Sequence, residues 1–366
     1  MAHPLLSRLP PDTVVQPLSF AEVPGWAADD HAAAFAAFLD TCAPILDGAA
    51  ALRDALPPGE ALKKACQAAR QTSPHEARAF FETHFMPFDI RPKGGDGFLT
   101  AYYEPELEGA LEKSATYPVP VLGRPADLVT LAQGETRAGL DPALQAARQT
   151  AKGLEPYADR AAIWAGALEG QGLEIAWLRD HAELFITQVQ GSARLRLPDG
   201  RITRLVYAGR NGHPYTSIGR KIVERGDMTL EEMTLAKLMA YLRADAARGR
   251  ALMELNRSYV FFARNDALDA AKGPIGGAGV PLTPHRSLAI DRTLWPYGLP
   301  VFIAVNPLTP QGPRQRMERL MIAQDTGSAI LGPARADYFM GSGAQAGERA
   351  GLVRDALRFI TLLPKE

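Results

Sequence analysis

A chain of 366 residues, 46% of them hydrophobic, is long enough for two domains with real cores. Its 40 basic and 41 acidic residues leave a net charge of -1, which excludes the electrostatic footprint of a nucleic-acid or anionic-membrane binder and fits a neutral or mixed-charge partner. Glycine (33) and proline (29) both exceed average usage, so the chain reads as turn-rich and mainly β, with helices concentrated in the N-terminal third. No apolar run reaches the roughly 18 residues of a membrane span. The start, Met1 to Pro10, lacks a signal-peptide apolar core and a lipid-attachment cysteine, so any export signal is missing from this sequence or the protein has none.

Residues 1–27 are proline-punctuated and extended. Phe35, Phe38, Leu39 and Cys42 then recur at helical spacing, and Leu62, Cys66 and Ala69 repeat the pattern in a second helix. Cys42 and Cys66 read first as small apolar helix residues; a disulfide stapling the two helices is the alternative in an oxidising compartment. Ser73-Pro74-His75-Glu76 is a capping box that predicts a third helix with Phe80, Phe81 and His84 turned inward.

From Gly97 the texture changes to a β-prone run stopped by Pro105. Alternation aims Phe98, Thr100 and Tyr102 to one face, and Leu99 and Tyr103 to the other. Further on, Phe185 to Ser192 reads as a strand with Gln188, Gln190 and Ser192 on one face, suited to recognising hydroxyl and amide groups or to contact with solvent. A hairpin is predicted where Asp199-Gly200 separates Arg194–Pro198 from Arg201–Tyr207. Thr229 and Glu232 form a capping box ahead of a helix carrying Leu235, Leu238, Met239 and Leu242 and ending near Gly249. Asn256 to Phe262 returns to strand character. Gly273 to Val280 has no Gly-Lys-Ser/Thr after it, so it reads as a rim loop, mobile or tightly turning, instead of a phosphate loop.

The last part packs short strands between proline and glycine turns, as in a small barrel. Leu320 to Ala323 suits a buried strand that ends on Gln324 and Asp325. A second carboxylate, Asp337, follows twelve positions later beside Tyr338 and Phe339. On one continuous helix these acids would stand about 120° apart, so only a strand-loop return through Gly327 and Gly332 can bring them together.

Asp325-Thr326-Gly327-Ser328 spells an aspartic-protease signature, but that chemistry needs two such aspartates and the motif occurs once. No Gly-x-Ser-x-Gly elbow is present, and the seven histidines lack metal spacing, His213 and His285 reading as surface or supporting groups. Carboxyl acid/base chemistry remains, the usual apparatus for cleaving a glycosidic bond.

Asp291 in Ala-Ile-Asp-Arg, Asp325 in Ala-Gln-Asp-Thr-Gly and Asp337 in Asp-Tyr-Phe-Met-Gly together resemble the 3D domain. Gly97 to Pro105, Gln188-Val-Gln-Gly-Ser192, Tyr215 to Arg220 and Asn256 to Phe262 resemble the other blocks of the membrane-bound lytic murein transglycosylase A family, in the family's order over residues 95–351. The resemblance implies a mainly β fold with N-terminal helices: a double-psi β-barrel domain, an inserted second β domain, and a groove between them for a glycan strand. On that reading residues 1–105 hold the helices and the first part of the barrel, 106–250 the insert, and 251–366 the 3D domain that completes the barrel.

It further implies a periplasmic, outer-membrane-associated enzyme acting as a monomer on peptidoglycan glycan strands without metal or cofactor. Such an enzyme cleaves the MurNAc-β-1,4-GlcNAc bond without water and leaves a 1,6-anhydro-MurNAc end. Asp337 would be the acid and base, with Asp325 tuning it, although Asp325 also reads as a cap for turn amides. Thr100, Tyr103, Gln190, Ser192 and Asp291 would contact substrate, although Thr100 could instead hydrogen-bond Asp337 and Asp291 also reads as a turn cap or ion pair; Tyr102, Tyr103 and Trp295 read as rings that stack on sugar faces or fill the core. Two departures stand out: no lipobox cysteine, and Thr-Gly-Ser where Thr-Gly-Gly is common. The alternatives are a water-using peptidoglycan glycosidase and a non-catalytic glycan-binding protein.

Overall fold

In the computed structural model, which describes residues 3–132, 135, 137–267, 272–309 and 312–366, the chain is mainly β with several helices. The first helix, α1 (His31–Asp47), begins where the Asp30 carboxylate accepts the Ala33 N–H, and ends at Gly48, whose φ of 67° few other residues tolerate. It packs on α2 (Glu60–Ala69) and α3 (Ala77–His84) through Phe35, Phe38, Phe80 and Phe81. Neighbouring rings there sit 5.0–6.1 Å apart. The Ser73–Glu76 capping box forms as expected, although it opens a single 3-10 turn before α3. His84 is only half-buried, its ring resting on Phe80. Cys42 and Cys66 are joined by a disulfide between α1 and α2, which corrects the first reading of them as free apolar residues.

The chain divides into two compact units, Met1–Tyr103 with Ala270–Glu366, and Glu104–Asp269. The expected boundary at 250/251 therefore moves. The strand Val260–Asn265 pairs antiparallel with Ile202–Arg210, and that ladder keeps the segment with the second unit.

The first unit carries an eight-stranded sheet: β1 (Val14–Pro17), β2 (Phe85–Arg91), β3 (Gly97–Glu104), β4 (Ser287–Ile290), β5 (Pro300–Val305), β6 (Met317–Asp325), β7 (Arg335–Ser342) and β8 (Arg354–Pro364). The hydrogen-bonded order is β1-β2-β8-β5-β6-β4-β7-β3, and β3 also pairs with β8. The β4–β6 pair is parallel, while β5–β6, β4–β7 and β3–β8 are antiparallel. Strand alternation splits the apolar residues between two cores. Leu99, Ile290, Val301, Ile303, Met321, Ala336, Tyr338, Leu357 and Phe359 fill one; Phe302, Leu320, Ile322, Ile360 and Leu362 meet the helices in the other. Gln324 ties α1 to the end of β6, donating to Ala37 O (2.9 Å) and Thr41 Oγ1 (2.8 Å).

The second unit has a four-stranded sheet whose hairpin turns at Gly200 (φ 85°), with Arg196 opposite Ile202. Phe185 to Gln190 is not a strand. Asp180 caps a helix, His181–Gln190, by accepting the Glu183 N–H, and Gly191 (φ 82°) ends it before the strand Ser192–Arg196 begins. The Thr229–Glu232 box also forms, yet the helix starts later, at Leu235, where Thr234 caps it. It stops at Asp245, which caps a second helix, Ala246–Glu254. Gly249 lets the two meet: a Cβ there would lie 2.1 Å from the Leu242 carbonyl oxygen.

Candidate active site

Asp325 closes β6 and Asp337 lies within β7, with β4 running between them. Ala289 of β4 is opposite Asp325 on one side and Asp337 on the other. The two ladders thus hold the acids two strand spacings apart, roughly 10 Å between backbones. The small Ala289 side chain is buried in a cluster with Tyr102, Leu282, Ile330 and Phe339. The same sheet face receives Thr100 and Tyr102 from β3, as alternation predicts.

Thr100 Oγ1 donates to Asp337 Oδ1 at 2.6 Å, and an Arg335 N–H donates to Thr100 Oγ1 at 2.7 Å. The arginine occupies a lone pair of the hydroxyl and so turns its hydrogen toward the carboxyl. Among the described residues no donor reaches Asp337 Oδ2, which is left to face an incoming group. Burial pushes the Asp337 carboxyl up to about 6, with the charge of Asp325 adding to the rise and Arg335 and Thr100 opposing it.

Asp325 is held differently. Its Oδ1 accepts the N–H groups of Gly277 and Thr326, and its Oδ2 accepts the Tyr102 hydroxyl, all at 2.8 Å. Burial raises its pKa too, but these three donors and the Arg53 charge pull toward the ionised form. The Gly277 donor comes from the glycine-rich segment, which is a tight rim turn. A Cβ on Gly276 would lie 2.6 Å from the Gln324 carbonyl oxygen, and one on Gly277 2.4 Å from the Tyr297 hydroxyl.

The other expected site residues have settings of their own. Tyr103 points to the opposite face, buried against Gly347, and burial lifts its phenol to about 12. It packs the unit instead of lining the acid. Asp291 is 4% exposed, and its two oxygens accept the backbone N–H groups of Thr293 and Gly332, which makes it a clamp between two turns. Trp295 is core. Gln190 ends its helix half-buried in the second unit, and Ser192, the first residue of the next strand, is buried.

His285, in the left-handed region at φ 64°, accepts from or donates to the Tyr338 hydroxyl at 2.6 Å, beneath the face that bears Asp337; His213 is buried against the Tyr157 carbonyl. The residue the sequence did not single out is Arg335. Its one signal was position, two residues before Asp337 and therefore on the same strand face. Among the described residues no group of three or more His, Cys, Asp or Glu is placed to hold a metal ion.

A family model described as the MltA specific insert domain matches residues 98–263, and one described as the 3D domain matches residues 286–363. Over nearly its whole length the chain is similar to the crystal structure of a membrane-bound lytic murein transglycosylase from Agrobacterium tumefaciens: 39% identity, 96% of this chain and 97% of that one, TM-score 0.86. The chain belongs to the membrane-bound lytic murein transglycosylase A family. MltA from Neisseria gonorrhoeae is similar at 31% identity over 97% of this chain and 94% of that one, with a TM-score of 0.77. Escherichia coli MltA with bound chitohexaose is similar at 25% identity, 97% and 93% coverage, and a TM-score of 0.67. Among curated family members, the Vibrio cholerae protein is 33% identical over 264 residues, 71% of this chain, and the match spans 63% of that relative's own length.

Proposed function

We propose that this chain is a lytic transglycosylase that cleaves the MurNAc-β-1,4-GlcNAc bond of peptidoglycan without water, with Asp337 as its single acid and base. The observation that carries this is a carboxyl raised to about 6, one oxygen fixed by Thr100 and the other unpartnered. Protonated Asp337 gives its proton to the glycosidic oxygen as the bond to C1 breaks. The charge left on the carboxylate is met by the Thr100 hydroxyl and the nearby Arg335. The carboxylate then takes the proton of the C6 hydroxyl, O6 attacks C1, and the 1,6-anhydro ring closes with the acid restored. Asp325 favours the protonated acid through its charge and balances the oxocarbenium-like sugar. With three donors on its oxygens, Asp325 is poorly suited to activating water, which disfavours the hydrolytic alternative.

Family membership supports murein as the substrate, and the bound chitohexaose of the E. coli relative supports a β-1,4 glycan. The Cys42–Cys66 disulfide supports an oxidising compartment, in keeping with a periplasmic protein. We read the strand order that returns from β3 to β8 as a double-psi β-barrel, and Gln190 of the second unit as a glycan contact. Mass spectrometry of digested murein tests the proposal. Wild-type products are expected to carry anhydro ends, one water lighter than hydrolytic ones, and Asp337→Asn to form them about 100-fold or more slowly. Reducing ends alone from the wild-type protein would sink it.

A further inference from the structure

We infer that Phe98 is a saccharide-stacking residue, holding one sugar of the glycan beside the acid and setting how firmly a strand is grasped. The inference rests on the glycan-cleaving reading of Asp337. Phe98 is 45% exposed, although a lone exposed apolar residue is ordinary and proves nothing by itself. Its setting is what matters.

Phe98 lies two residues before Thr100 on β3, on the same face and about 7 Å along the strand from the hydroxyl that holds Asp337. Its ring does not hang loose. The Arg335 guanidinium stands over it at 5.1 Å, and the same guanidinium is hydrogen-bonded to Thr100. The Phe98 backbone is fixed as well, its N–H donating to Ala334 O at 3.0 Å.

A rigid aromatic ring backed by a cation and still open to solvent is preorganised for a flat, partly apolar partner. The C–H face of a pyranose is such a partner, since its weakly positive hydrogens meet the negative face of the ring. Along one line of β3 the sheet therefore offers Tyr102 with Asp325, Thr100 with Asp337, and Phe98 with Arg335. The first two pairs hold and tune the acid; in the third Arg335 also serves Thr100, and the exposed Phe98 ring is open to bind.

Calorimetric titration of chitohexaose into wild-type, Phe98→Ala and Phe98→Trp proteins tests this, alongside kcat and KM on purified murein. Phe98→Ala is expected to weaken chitohexaose binding about 3- to 10-fold and to raise KM as much, with kcat within about twofold; Phe98→Trp is expected to restore both. Leu308→Ala, on a loop and similarly exposed, serves as the control and is expected to change neither. Unchanged binding and KM in Phe98→Ala, with a native circular dichroism spectrum, would overturn the inference. So would a loss confined to kcat. Anhydro ends from wild-type protein together with unchanged binding in Phe98→Ala would reject only the stacking role, whereas a wild-type protein that yields no anhydro ends would reject the transglycosylase reading and leave the titration meaningful.

Discussion

On the proposed reading Asp337 holds a proton near neutral pH, releases it and takes up another, and its surroundings act on that proton in opposite directions. Burial and Asp325 retain it; Arg335 and Thr100 loosen it. The rate should fall as pH rises through about 6, because only the protonated carboxyl can protect the leaving oxygen from departing as an alkoxide. Arg335→Gln removes the opposing charge, so this limb of the kcat profile should move to higher pH; an unmoved limb would show that the guanidinium serves only Thr100 and Phe98. The same proton governs stability. An unfolded aspartic acid titrates near 3.8 and the folded one near 6, so between those values the native chain keeps a proton the unfolded chain has lost. Stability from this group is therefore lost as pH rises through that window. Asn at 337 avoids the loss, so Asp337→Asn should cut kcat by about 100-fold or more yet melt above wild type at pH 8, with the gap closing toward pH 4. Equal melting at both pH values would mean that the carboxyl is better solvated than its setting implies. Asp325, Asp337 and Thr100 were legible from motifs and alternation. Arg335 was not, because an arginine next to an alanine carries no mark of what its long side chain will reach.

The elements that present these groups make their own predictions. The rim turn delivers the Gly277 N–H to Asp325 only because Gly276 has no Cβ to press on the Gln324 backbone. Gly276→Ala should lower kcat by roughly 10-fold while leaving the circular dichroism spectrum native; full activity would show that the turn gives without moving the donor. The Cys42–Cys66 bridge closes a stretch of 24 residues between α1 and α2, a constraint on the unfolded chain of about 3 kcal/mol. Cys42→Ala with Cys66→Ala should lower the melting temperature by about 10 °C, and calorimetry on the oxidised and mutant proteins would measure it. The N-terminal helices and the hairpin at Gly200 were readable because periodicity and turn chemistry agreed there. The helix His181–Gln190 was missed for a physical reason: it is buried on nearly all sides, so its apolar residues leave no stripe, and the spacing of Gln188, Gln190 and Ser192 spans its end and mimics a strand. The pairing of the cysteines was equally hidden, since spacing alone cannot say which turn of one helix will face the other.

At the scale of the whole molecule, one unit is interrupted by the other. Trp26 and Trp295 lie in the first, Trp164 and Trp177 in the second. Cores of their own predict separate responses. Reductant should lower the transition seen in variants that keep only Trp26 and Trp295, and leave unchanged the transition of those that keep only Trp164 and Trp177. A common shift of both would show that the units unfold as one. The near limit of the insert, expected at 105/106, lies at 103/104, but its far end was not legible, because Val260–Asn265 declares its allegiance only through a partner strand fifty or more residues earlier. The interruption also bears on how the protein is made. Thr100 is made before the insert and waits through all of it for the β7 segment that bears Asp337, and β8, which laces β3 to β5, comes later still. A nascent chain that stops short of that closure carries no Thr100–Asp337 pair, so on the proposed reading the acid is assembled only after the whole insert has been made.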